Sequence, residues 1–167
     1  MALTEWDLID YVATPEGLSS RTSTAYMYGV GNFEDGICAA DYDPWVHAEQ
    51  LDLPIIFRDL PDADMVAAYS HEHRAIFVRT GLHGATERCS IAHEIVHFER
   101  NDVGEVKAQE DRADRISARR LIRPSRVRRV ASMTGNDPAA IALELNVTEQ
   151  VMRTWLRMVR QGVIKGY

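Results

Sequence analysis

The sequence predicts an α+β fold, mostly helical with a short three-stranded sheet. Two patterns carry this. Between residues 53 and 78, short runs rich in Ile, Val, Phe and Tyr are separated by turns containing Asp, Pro and Ser. From residue 86 onward, long stretches free of Gly and Pro place apolar residues at helical spacing. A length of 167 residues with a 46% hydrophobic fraction suits one domain with its own core and a small appendage. No run of eighteen apolar residues is present, so no membrane span is expected.

Each element has a local reason. Residues 4–13 fit a short amphipathic helix, with Trp6, Ile9 and Val12 on one side. Residues 14–43 carry little pattern, and Gly29, Gly31 and Gly36 interrupt it. Pro44 after Asp43 marks the first turn of a helix over 44–51, with Trp45, Val46 and Leu51 toward the core. A strand is expected at 53–57. A hairpin follows, built from Met65–Tyr69 and Ala75–Val78, with its tip at Ser70-His-Glu-His73. After Gly81-Leu-His-Gly84, Thr86 is the expected N-cap of the next helix. A helix over 106–122 stops at Arg123-Pro124, because the residue before proline avoids helical backbone. A short helix follows at 125–133. Asp137 caps a helix beginning at Pro138, Asn146-Val-Thr148 makes a tight turn, and Thr148 caps the last helix.

The helix after Gly84 carries His93-Glu-Ile-Val-His97, the pattern H-E-x-x-H. Residues four apart share a helix face, so His93 and His97 point the same way and can bind one metal ion. Glu94 then lies where it can reach a water activated by that ion, as the general base of a zinc hydrolase. Ile91, Ala92, Ile95, Val96 and Phe98 are apolar, so the helix should be largely buried. Polar groups there are costly without a partner, and a metal is such a partner.

The 106–122 helix supplies the rest. Ala113, Ile116, Ala118, Leu121 and Ile122 give it a buried face, and Glu110 and Asp114, four apart, share another. Glu110 is the expected third ligand, and Asp114 the carboxylate that holds a ligand histidine's ring N–H and fixes its tautomer. Asp111 competes for the ligand position but is expected to turn toward solvent. The rival reading of the two acids is surface pairing with Arg112 or Arg115. Two histidines and one carboxylate leave a coordination position for water, as catalytic sites do.

H-E-x-x-H followed by E-x-x-A-D-x-x-x-A-R-R-L-I resembles the ImmA/IrrE family of small zinc metallopeptidases. The likeness covers about Pro44 to Pro124, extends more weakly into the C-terminal tail, and does not cover the first forty residues. H-E-x-x-H is common to many zincins; the E-x-x-A-D helix narrows the choice. Ile116, Ser117 and Ala118 depart from the family's usual bulky residue and paired alanines, which bears on packing more than ligation. The resemblance implies a zincin-like fold of gluzincin type. It divides the chain into an N-terminal extension (1–43), a peptidase core (44–124) and a C-terminal helical region (125–167). It also implies one Zn2+ per chain and a zinc-dependent endopeptidase whose protein substrate is a helix-turn-helix repressor of a phage or mobile element. The alternative is a regulatory DNA- or repressor-binding protein on a metallopeptidase scaffold with little or no proteolysis.

Charge divides unevenly. Residues 1–100 hold 6 Lys+Arg against 17 Asp+Glu, and residues 101–167 hold 13 against 8. The basic cluster Arg119, Arg120, Arg123, Arg126, Arg128 and Arg129 can touch nucleic acid, an acidic partner, or the acidic half of its own chain. The tail resembles a helix-turn-helix whose recognition row would be Gln150, Arg153, Thr154 and Arg157. The preferred reading is a helical pair packed beside the zinc site rather than a DNA reader. Among the other residues, His71, His73 and Tyr69 are weaker candidates for a transition-state donor; His83 sits just before the motif helix, and His47 is expected to be a half-exposed helix residue. Cys38 and Cys89 form no disulfide framework, Cys89 being a core thiol, and the start of the chain lacks a leader pattern. The expected location is cytoplasmic.

Overall fold

The computed structural model describes residues 41–104 and 106–165, which belong to a unit spanning Asp41–Tyr167. The expected helix at 4–13 and Cys38 lie outside the described residues. Helix α1 (Pro44–Gln50) begins where the Asp43 carboxylate accepts from the Trp45 and Val46 amides and Pro44 sets the first turn. Its buried row is Pro44 and Ala48, with Trp45 and Leu51 half-buried beside it. Val46, expected to face the core, is 46% exposed, because one turn of rotation from Pro44 to Ala48 leaves it on the outer side.

Three strands follow: β1 (Ile55–Arg58), β2 (Ala67–Ser70) and β3 (Ala75–Arg79). The first begins later than expected, since Pro54 has no N–H to give; its carbonyl instead accepts from Ile76 N at 2.8 Å. The hairpin forms, β2 pairing antiparallel with β3, and its turn passes through Arg74 at φ 46°. β1 then joins the far side of β3 in parallel, giving the order β1-β3-β2. β3 is therefore central and buried on both faces. Ile76 and Val78 meet the α1 and α2 side, while Ala75 and Phe77 meet Leu60, Ile56 and Met65 on the other. β2 is an edge.

Helix α2 (Gly84–Arg100) starts two residues before the expected Thr86 cap. His83 caps it instead, its Nδ1 accepting from the Ala85 amide at 3.3 Å. Helices α3 (Lys107–Leu121), α4 (Pro124–Thr134), α5 (Pro138–Glu144) and α6 (Glu149–Arg160) follow. Pro124 both stops α3 and opens α4. Asp137 and Thr148 cap α5 and α6 as expected, and Asn146 turns the chain between them at φ 51°.

Helix α2 is the common member of two cores. Ile91 and Ile95 pack with Leu53, Ile76 and Val78 of the sheet layer. Cys89 and Ala92 pack with Leu121, Ile122, Val127, Ile141, Met152 and Trp155, the last fully buried. The C-terminal helices are thus packed into the same interior as the motif helix. Arg88 reinforces the join, donating to the Asn146 and Tyr42 carbonyls at 3.1 and 2.9 Å, and the Thr148 amide donates to Cys89 Sγ at 3.4 Å. Cys89 is a buried thiol, and burial pushes its pKa up. On α3, Ser117 takes a fully buried place while Ile116 is only half-buried. Among the described residues no helix is long and apolar enough to cross a membrane.

Candidate metal centre

The third face of α2 is polar. His93 and His97, one turn apart, bring their Nε2 atoms to 2.9 Å of each other. Glu110 of α3 reaches both, Oε2 lying 3.1 Å from His93 Nε2 and Oε1 3.4 Å from His97 Nε2. Ligand atoms of the three residues fall within 4.8 Å of one another, the one such group of His, Cys, Asp and Glu among the described residues. Asp111 turns outward to Lys107 at 3.0 Å, as its position on α3 predicts.

Each histidine is held from behind. His93 Nδ1 meets Asp114 Oδ1 at 3.2 Å, so the Glu110–Asp114 pair occupies both sides of that ring. His97 Nδ1 meets Asp102 Oδ2 at 3.1 Å, and Arg112 pairs with the other oxygen of Asp102. Sequence reasoning missed Asp102 and Arg112. Asp102 gets there because α2 ends with Asn101 in the left-handed region at φ 53°, which folds the chain back until the Asp102 amide donates to the His97 carbonyl at 3.0 Å. The available signal was an Asn, able to take that conformation, followed by an acid five residues past the second motif histidine.

Electrostatics follow from this crowding. Burial lowers the His93 pKa, but the Asp114 hydrogen bond and the charges of Glu94, Asp114 and Glu110 outweigh it, and the ring is pushed up to about 9. The site favours a cation at His93. The hydrogen bond to His93 in turn holds the Asp114 carboxyl below its usual range. Burial raises Asp102, yet its bonds to Arg112 and His97 hold it low as well.

Glu94, next to His93 on α2, reaches the sheet. Its Oε2 accepts from the Tyr69 amide of edge strand β2 at 2.8 Å. Burial pushes its pKa up, against the pull of the two histidines and the Tyr69 N–H. The strand of Tyr69 therefore borders the site through its backbone; its ring packs on Phe98, centroids 5.6 Å apart. Other histidines have partners of their own. His71 stacks edgewise on Tyr69, His73 bonds Ser70 Oγ at 2.9 Å, and His47 joins Tyr42 at 2.9 Å and Glu99 at 3.4 Å. In the basic cluster, Arg120 pairs with Glu99 at 2.7 Å and Arg126 with Asp41, both acids of the negative half.

Two imidazole nitrogens and a carboxylate converge with both Nδ1 atoms tied to acids, so the free lone pairs face one point. This donor set fits a metal ion, with a position left open for a further ligand. A helix that presents such a set beside a small mixed sheet defines a scaffold of metallopeptidase type. The chain matches the IrrE N-terminal-like domain family, peptidase M78, over residues 48–156, and belongs to that family. A search of curated proteins finds no match.

Proposed function

We propose that the protein is a zinc-dependent endopeptidase in which His93, His97 and Glu110 hold one Zn2+ and Glu94 is the general base. The observation that carries this reading is the double anchoring: each histidine offers Nε2 to Glu110 while its own acid holds Nδ1. When bound, zinc supplies Lewis acidity, lowering the pKa of a water from about 15.7 to about 7 and polarising a carbonyl. The chain's own residues do the rest. Glu94 takes a proton from the attacking water and passes it to the leaving amine, a role its raised pKa suits. Asp102 and Asp114 keep the histidines in one tautomer and orientation. Edge strand β2 offers backbone groups to an extended peptide, and the Tyr69 amide already points at Glu94. For the substrate we propose a helix-turn-helix repressor of a phage or mobile element, met in the cytoplasm; this class comes from the family resemblance.

Elemental analysis of purified wild-type, Glu94→Gln and Glu110→Ala proteins tests the centre. We expect about one zinc in the first two and none in the third. A wild type that takes up no zinc on refilling at neutral pH would sink the reading. Zinc-loaded wild type should cut a co-encoded helix-turn-helix repressor, and Glu94→Gln should do so at least about a hundredfold more slowly. A repressor that binds but stays whole would favour a binding protein on this scaffold.

A further inference from the structure

A polar cleft of about 460 Å³ opens between α3 and α6, lined by Asp114, Glu149, Gln150, Arg153, Thr154 and Arg157. It shares Asp114 with the metal centre, so one imidazole ring, that of His93, separates the cleft from the triad. The α6 residues are the row that the sequence reading set out for DNA. Here Thr154 is buried, while Gln150, Arg153 and Arg157 stay exposed along a cleft that also holds the Asp114 carboxylate.

The charges lining the cleft are unequally committed. Asp114 is engaged by His93 at 3.2 Å. Arg153 and Glu149 pair with each other at 3.0 Å, both mostly exposed, so that bond is weak and exchangeable. Arg157 makes no hydrogen bond or close ion pair among the described residues; its charge is felt by the Asp114 carboxyl only across space. It is the cation on the cleft wall left to meet a ligand. Gln150 and Thr154 add neutral hydrogen-bonding groups.

We propose that this cleft is a substrate subsite that takes an acidic side chain of the bound peptide, with Arg157 as the residue that selects it. The proposal rests on the peptidase reading. Arg–carboxylate recognition is charge-assisted and directional, which gives selection by position as well as by charge. The shared Asp114 sets the cleft beside the metal centre at which the peptide would be held.

The test separates binding from cleavage. Zinc-loaded Glu94→Gln protein is passed over an immobilised library of short peptides in which single positions are varied among Asp, Glu, Lys, Arg, Gln and Ala. We expect Asp or Glu to be selected at one position, with binding roughly tenfold weaker in the Arg157→Ala background, partial recovery in Arg157→Lys, and a switch toward Lys or Arg in Arg157→Glu. The wild type is then given the selected peptides. Acidic selection that follows residue 157, on peptides that the wild type also cuts, supports the subsite; the same selection with no cleavage overturns it as a substrate subsite together with the peptidase reading. Cleavage without acidic selection, or with selection unchanged in Arg157→Glu, overturns the subsite and keeps the peptidase. Retention of no peptide, or salt-dependent binding of duplex DNA lost in Arg157→Ala, overturns the subsite as well.

Discussion

His93 and His97 both bring Nε2 to Glu110 one helical turn apart, yet they are held by partners of different origin. Asp114, on a neighbouring helix, holds the first. Asp102, in the turn that ends the second histidine's own helix, holds the other and is itself braced by Arg112. The distant anchor was legible in the sequence and the local one was not. Asp114 sits at a fixed helical offset from Glu110, and helical spacing is readable. Asp102 depends on a left-handed residue at Asn101, and the direction of a chain after such a turn is not encoded in spacing.

The largest effect should come from Glu110→Ala, because Glu110 touches both histidines; zinc titration is expected to find no stoichiometric site. Next come the separate anchors. Asp114→Asn and Asp102→Asn should each weaken zinc binding about ten- to a hundredfold. Equilibrium competition with a chelator measures both, and an effect confined to one would show that the two histidines are not equivalently supported.

pH separates the two sides further. Acidic neighbours push the His93 ring up to about 9, so a metal bound there would displace a proton, and zinc affinity should fall by up to about tenfold per pH unit below that. The same shift bears on stability. His93 holds its proton more tightly folded than at its ordinary value of 6.5, so this contribution is full below about 6.5 and is lost as pH rises through about 9. Thermal melts of metal-free protein should decline across that window, and Asp114→Asn should flatten the decline while Asp102→Asn leaves it. Arg112→Gln should act on the His97 side alone and cost zinc affinity less than about tenfold, since Asp102 remains. Smallest is Thr148→Ala, remote from both anchors: it removes the side-chain oxygen that accepts from Val151 N, should cost about 1 kcal/mol in denaturant melts, and should leave zinc content unchanged.

Much of the fold could be read in advance for the same reason that Asp114 could. Helices α3 and α4 lie within a residue of their expected bounds, and α5 and α6 begin where expected, because Pro124, Asp137 and Thr148 act locally. Misplaced features were those decided by competition between neighbours. Thr86 lost the cap of α2 to His83, whose ring could accept from the Ala85 amide. Val46 lost its core place to Ala48, because a helix of seven residues can bury only one row.

The sequence by itself determined the chemistry: which residue types stand one helical turn apart on α2 and α3, and so which nitrogens and oxygens can share an ion. That information is periodic, and periodicity survives without knowledge of the rest of the chain. Tertiary structure alone decided that β1 joins β3 in parallel and leaves β2 as the edge facing Glu94, that Asp102 returns to His97, and that α6 turns its Arg-bearing row onto a cleft beside the site. Each of these depends on contacts between segments distant in sequence or on a single backbone region, and packing free energy, not spacing, selects among the alternatives.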